Sequence, residues 1–233
     1  MNYRHEHKYI ETIGSLAGIE SRLNCLMKKD PHVSERGSYS VRSLYFDDYR
    51  DRFLNENIDG VNDRRKWRIR IYDRSADHIS LEEKLRKGDL IAKRSCRINT
   101  ETYESIIRKT VRPDSLKSPV FNLFVKEMMI GMLHPAVIVE YERTPFVCKT
   151  GNTRVTIDRN IRSSDRIHNF LSENILAARP VLESGKDLIE IKYDSFLPDH
   201  IASVIEHGRM RRESFSKYCL ARMLPYNGIM PKY

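Results

Sequence analysis

Cysteine is scarce in this chain and poorly placed for chemistry: Cys25, Cys96, Cys148 and Cys219 are widely spaced over 233 residues and form no CxxC pair. That pattern argues against a zinc site and a disulfide scaffold, and reads as reduced thiols in a cytoplasmic protein. Long apolar runs are missing too. No stretch reaches the length of a membrane span, and the start, MNYRHEHKYIE, lacks the hydrophobic region of a signal peptide. Aromatics amount to 9%, thin for a nucleic-acid surface that would interleave rings with exposed cations. No internal repeat, low-complexity tract or linker divides the chain. One domain spanning residues 1–233 is therefore expected, long enough to bury a substantial core.

What the chain has in excess is positive charge. Lys and Arg number 41 against 32 Asp and Glu, for a net charge of +9 and a pI near 9.4. An anionic partner follows: nucleic acid, acidic lipid or a small polyanion. The excess is concentrated in RRKWRIRIYDR, residues 64–74. Its alternation is that of a strand, with Trp67, Ile69 and Ile71 on one face and Lys66, Arg68, Arg70 and Tyr72 on the other.

Periodicity predicts eight strands, at 3–10, 40–46, 64–72, 79–86, 90–98, 136–146, 153–159 and 187–194. Lys87-Gly88-Asp89 and the segment holding Gly151-Asn152 are hairpin signals, so the sheet should be largely antiparallel. Helices are predicted at 11–28, at 101–109 with Thr100 as cap, at 119–133 opened by Ser118-Pro119, at 198–207 and at 214–223. Residues 160–180 carry no readable pattern.

The polar faces of these strands repeat one chemistry, Lys or Arg with Glu two residues away. Arg4, Glu6 and Lys8 share a face, as do Glu82, Lys84 and Arg86; Arg154, Thr156 and Asp158; and Glu190 with Lys192, while Tyr141 and Arg143 share another. Any one of these alone reads as the solvated side of an amphipathic strand. Their recurrence, opposite strongly apolar faces that helices could cover, points to an α+β fold. In it an eight-stranded antiparallel barrel turns its charge inward and carries its helices outside. About ten basic groups in a confined, low-dielectric space repel one another unless an anion joins them. A linear polyphosphate or nucleoside triphosphate supplies that charge, and the interspersed carboxylates suit Mg²⁺ or Mn²⁺ bridging to phosphate oxygens.

RHEHKY (4–9), RSLYFDD (42–48), KWRIRIY (66–72), LEEK (81–84), YER (141–143), RVTIDRN (154–160), IEIKYD (189–194) and SKYC (216–219) together resemble the VTC domain. This is the catalytic domain of the vacuolar transporter chaperone, in the triphosphate tunnel metalloenzyme (CYTH-like) superfamily. The resemblance runs in order along nearly the whole chain. It implies a triphosphate tunnel that uses a divalent metal, Mn²⁺ or Mg²⁺, to move the terminal phosphoryl group of ATP onto a growing polyphosphate chain. It further implies that Lys8, Arg68, Arg70, Lys84, Arg143 and Lys217 serve catalysis. Lys93, Tyr141, Arg154, Lys192 and Ser216 would bind phosphate, and Glu190, Glu82 and Glu6 would hold the metal.

Two departures stand out. The wider superfamily begins Glu-x-Glu-x-Lys, whereas here Arg4 precedes Glu6 and Lys8, which favours the VTC branch over triphosphatases and class IV cyclases. VTC polymerases carry a lysine two residues before the Ser of Ser-Lys, and here that position is Ser214. These residues include no SPX domain or membrane segment, so a membrane-protein partner of the full complex is implied by the resemblance alone.

Other catalytic readings fit less well. His5 and His7 should point away from the Glu6 face, and their spacing does not suit HExxH zinc chemistry. Ser216 and Lys217 diverge by about 100 degrees on a helix, against a Ser/Lys nucleophilic pair. A tripolyphosphatase or NTPase, in which water is the acceptor, stays open, as does a non-catalytic polyphosphate or inositol-polyphosphate sensor. Retention of the glutamates favours metal chemistry over passive binding.

Overall fold

The computed structural model describes residues 2–33, 35–114, 118–206, 210–212 and 214–224. In chain order the elements are β1 (Arg4–Thr12), α1 (Ile13–Leu26), β2 (Lys28–Lys29), β3 (Tyr39–Asp47), α2 (Arg52–Ile58), β4 (Asp63–Tyr72), β5 (Ser75–Lys87), β6 (Leu90–Ile98), α3 (Thr100–Ile107), α4 (Pro119–Gly131), β7 (His134–Cys148), β8 (Thr153–Ser164), β9 (Arg179–Pro180), β10 (Lys186–Tyr193), α5 (Asp199–Glu206) and α6 (Lys217–Met223).

Eight of these strands close a ring, in the order β7-β3-β4-β5-β6-β1-β10-β8 and back to β7, with every pairing antiparallel. The two-residue β2 and β9 attach to β7 and β8. The expected α+β architecture, an eight-stranded antiparallel tunnel with helices outside, is the one the chain adopts. Its thinnest seam is β6–β1, where only Arg4 with Ile91 and His5 with Leu90 are paired.

Strict alternation sorts each strand between lumen and exterior. The apolar faces point outward under helices and form two clusters. Trp67, Ile69 and Leu81 lie beneath Phe121 and Phe124 of α4, with the Trp67 and Phe124 rings 5.2 Å apart. Val155, Ile157, Ile189 and Ile191 lie beneath Leu16, Ile19 and Leu23 of α1 and Ile201 and Ile205 of α5. His5 and His7 sit on this outer side, stacked on and edge-on to Tyr193 at 5.0 and 5.4 Å.

The helix starts follow local capping. The Thr12 side chain accepts the Ser15 N–H; β1 extends to Thr12 because residues 9–12 pair with β10, so α1 begins two residues later than periodicity predicts. Asn99, not Thr100, caps α3 by accepting the Thr102 N–H at 2.9 Å. Ser118 accepts the Phe121 N–H ahead of Pro119, as expected for α4. The helix expected at 198–207 is α5, with residue 207 outside the described residues, and that expected at 214–223 starts at Lys217 under a Ser216 cap. Helix α2 carries no sequence signal. Asp47 holds its first turn, accepting the Phe53 and Leu54 N–H groups at 2.9 and 3.0 Å.

The segment after β8, unreadable as a pattern, buries Phe170 and Ile175 in the core and is tied to β3 by one buried side chain. Arg42, fully buried on the outer face of β3, pairs with Glu140 at 2.6 Å and donates to the Phe170 and Glu173 carbonyls at 2.9 Å and to that of Ser172. Removing one partner of such a pair leaves an uncompensated buried charge. Glu140→Ala should cost about 3–5 kcal/mol in urea unfolding. Tripolyphosphate affinity per folded molecule should be unchanged, because Glu140 faces away from the lumen.

Candidate functional site

The inward faces enclose a cavity of about 420 Å³. Fourteen basic side chains line it against two lining carboxylates, Glu6 and Glu190, with Glu82 and Asp158 packed behind. Each predicted phosphate ligand lines this cavity: Lys8, Arg68, Arg70, Lys84, Lys93, Tyr141, Arg143, Arg154, Lys192, Ser216 and Lys217. The ring therefore gathers into one lumen side chains that the chain scatters over more than two hundred residues.

Most of the cations are held by carboxylates. Glu6 takes Lys84 at 2.8 Å, Lys8 at 3.2 Å and Lys192 at 3.4 Å. Glu190 takes Lys217 at 2.7 Å, Lys192 at 3.3 Å and Arg143 at 3.6 Å. Glu82 sits under Arg68 at 2.6 Å and Lys93 at 2.8 Å and does not itself line the cavity. Asp158 forks with Arg143 through two bonds of 2.7 Å and also holds Lys217 at 2.7 Å. Arg154 pairs with Asp30 and donates to the Tyr39 hydroxyl, both at 2.9 Å.

Arg70 is held differently. Its guanidinium donates to Ser43 Oγ at 3.0 Å and to the Tyr141 hydroxyl at 3.2 Å, while Glu82 is 4.0 Å away. Buried with mostly neutral partners, it is poised for an incoming anion. Ser216 and Lys217 diverge as their helical spacing requires: Ser216 Oγ accepts the Cys219 N–H, while Lys217 reaches Asp158 and Glu190.

Burial alone would push the lumen carboxyls up, but their lysine and arginine neighbours outweigh it. Lys8, Lys84 and Lys192 hold Glu6 well below the usual carboxylate range. Lys217, Lys192, Lys8 and Arg143 do so for Glu190, and Arg68, Arg70 and Lys93 for Glu82. All are charged at neutral pH, as counter-ions to the cations around them.

Among the described residues no three His, Cys, Asp or Glu side chains converge as a self-sufficient metal cage. A divalent ion on phosphate needs fewer: Mg²⁺ is held by one or two carboxylates plus substrate oxygens. Glu6 and Glu190 fit that pattern. Both reach the Lys192 ammonium, at 3.4 and 3.3 Å, so the two carboxylates face a common cation. Beside Glu190 in the β10–β8 register stands Thr156, whose buried Oγ1 has no hydrogen-bond partner among the described residues, a further oxygen of the kind such an ion takes.

Sequence reasoning passed over three contributors. Asp158 was visible on the Arg154 face but has no role until β8 lies beside β7. Asp30, outside every predicted strand, is the partner of Arg154. Tyr45, whose hydroxyl accepts from Arg68 at 3.3 Å, comes from β3, a strand whose burial on both faces hides its polarity.

A closed antiparallel ring with a cation-lined lumen defines a tunnel protein for polyanions. The chain belongs to the VTC domain family, whose model matches residues 3–225. Among curated proteins no sequence match was found. Among solved structures it is similar to a candidate adenylate cyclase from Bacillus halodurans, with a TM-score of 0.51, 12% identity and 89% of both chains covered. A Pyrococcus horikoshii OT3 protein matches with a TM-score of 0.50 and 10% identity, over 93% of this chain and 98% of that one. These likenesses establish the fold. No described helix is long and apolar enough to cross a membrane.

The depressed carboxyls set an acid dependence. A carboxyl whose folded pKa lies below its unfolded value contributes stability that is complete above the unfolded value and lost as pH falls toward the folded one. For Glu82, with an ordinary value of 4.5, the loss begins below about that pH. Urea stability measured from pH 6 downward should therefore fall less steeply in Glu82→Gln than in the wild type. Parallel slopes would contradict the counter-ion role.

Proposed function

We propose that the protein is a polyphosphate polymerase, transferring the terminal phosphoryl group of ATP to the end of a polyphosphate chain lying in the tunnel. The observation that carries this reading is the imbalance of the lumen, fourteen basic side chains against two lining carboxylates, which suits a linear, highly charged ligand. Membership of the VTC domain family supports it. Nucleic acid fits poorly, since the cations lie inside a ring of strands.

In this reading Arg68 and Arg70 grip the reacting phosphoryl group through paired N–H donors, and Lys84, Lys93, Arg154 and Lys192 hold successive phosphates as point charges or forks. Lys8, Arg143 and Lys217 stabilise charge building on the phosphoryl group and on the leaving ADP. Tyr141 and Ser216 contribute hydroxyls. A P–O bond to an oxygen of the chain end forms as the bond to the ADP oxygen breaks, with no protein nucleophile. Glu190 and Glu6 would hold Mg²⁺ or Mn²⁺, which would supply charge neutralisation to the bound phosphates. Glu82 serves better as counter-ion to Arg68 and Lys93 than as a third ligand. The four cysteines, none of them in a disulfide, agree with a cytoplasmic setting. The membrane-protein partner of a full transporter complex belongs to the same reading.

The nature of the acceptor separates this reading from hydrolysis. Purified protein incubated with ATP and Mn²⁺ or Mg²⁺ should yield ADP and long-chain polyphosphate, and Glu190→Gln should lower turnover by at least tenfold. ADP with free phosphate and no polymer would make the protein a hydrolase. Tight tripolyphosphate binding without turnover would make it a sensor. Arg70→Ala should weaken tripolyphosphate binding by about 1.5–3 kcal/mol, the worth of charge-assisted hydrogen bonds. Its thermal midpoint should shift little, because Glu82, 4.0 Å from Arg70, keeps Arg68 at 2.6 Å and Lys93 at 2.8 Å.

A further inference from the structure

The strand register sets three lysines in a row across β4, β5 and β6: Lys66 opposite Lys84, and Lys84 opposite Lys93. Like charges directly opposite on neighbouring strands are destabilising. Two of the three are relieved, Lys84 by Glu6 and Lys93 by Glu82. Lys66 is not. Its ammonium donates to Ser216 Oγ at 2.8 Å and to Asn57 Oδ1, and lies 5.5 Å from the Tyr218 ring centre, all neutral neighbours.

This sets Lys66 apart. Among the described residues, every cation lining the tunnel other than Lys66 and Arg64 has a carboxylate oxygen within 4.0 Å. Arg64 instead donates to the Val61 carbonyl. Lys66 thus projects into the lumen with its charge uncompensated, beside a hydroxyl already assigned to phosphate. Ser214, two residues along the same lining segment, brings no charge.

We propose that Lys66 is a further phosphate-binding residue of this tunnel, whose ammonium is completed by an oxygen of the bound polyanion beside Ser216. The inference rests on the phosphate-tunnel reading and adds to it a residue that also couples binding to protons. Burial pushes the Lys66 amine down to about 7, with Lys8 and Arg64 pushing the same way and Cys219 and Glu6 opposing. Lys84 faces it across the strand pair. An arriving phosphate favours the ammonium, so binding draws a proton onto Lys66, and affinity falls as pH rises above about 7.

Titration calorimetry with inorganic tripolyphosphate at pH 7.5, in two buffers of different ionisation enthalpy, tests this. Wild-type protein should take up more protons than Lys66→Met, which should also bind about tenfold or more weakly, the scale of one charge-assisted hydrogen bond. Lys66→Arg should keep most of the affinity and lose the extra proton uptake, because a guanidinium does not deprotonate. Ser214→Lys placed in the Lys66→Met background should recover affinity. The thermal midpoint of Lys66→Met should match or exceed that of the wild type, since a half-buried charge with no carboxylate within 4.0 Å among the described residues has been removed. Tripolyphosphate binding and proton uptake equal in wild type and Lys66→Met would overturn the assignment and leave the tunnel reading intact. No binding by the wild type would overturn the tunnel reading itself.

Discussion

The constraint on which this structure turns is the confinement of like charge. A ring of eight strands with cationic inner faces cannot close unless each buried cation finds a counter-charge or a ligand to take its place. Glu6, Glu82, Asp158 and Glu190 meet most of that demand, each engaging two or more basic groups. They let the ring close around its cations and leave the net charge of its lining positive. These carboxylates are thus a folding requirement first, and under the proposed function Glu6 and Glu190 would serve a divalent cation from the same positions.

The outer faces obey the opposite rule. There the alternation delivers Trp67, Ile69, Val155, Ile189 and their neighbours to two apolar clusters sealed by α4 on one flank and by α1 and α5 on the other. The hydrophobic burial that offsets the chain's conformational entropy lies outside the ring, so the lumen is free to be polar. One exception is Arg42, a buried cation on the outer face. Its partners are Glu140 and three carbonyls of the following loop, and its role is to tie down a segment with no apolar periodicity.

Much of this was legible because a strand's period of two encodes which side each residue takes. The faces Arg4-Glu6-Lys8, Lys66-Arg68-Arg70 and Glu190-Lys192 all meet in the lumen, and the hairpin at Gly88 lies where its sequence predicts, with φ +56 at the glycine. Where local signals were weak, boundaries moved. The seven-residue α2 has no amphipathic period to read and depends on Asp47, and α3 takes its cap from Asn99 rather than its neighbour. Asp30 could not be matched to Arg154, since the contact is made between a loop and a strand more than a hundred residues apart.

The sequence by itself determined the inward and outward face of each strand, the cationic character of the shared inner surface, and membership of the VTC domain family. These are local or cumulative properties, carried by alternation and by motifs in order. Only the tertiary structure decided which carboxylate answers which cation. That depends on register between strands distant in the chain, and a shift of one residue would reverse every face. In the register adopted, Lys84 and Lys93 are neutralised and Lys66, on the same row, is left open.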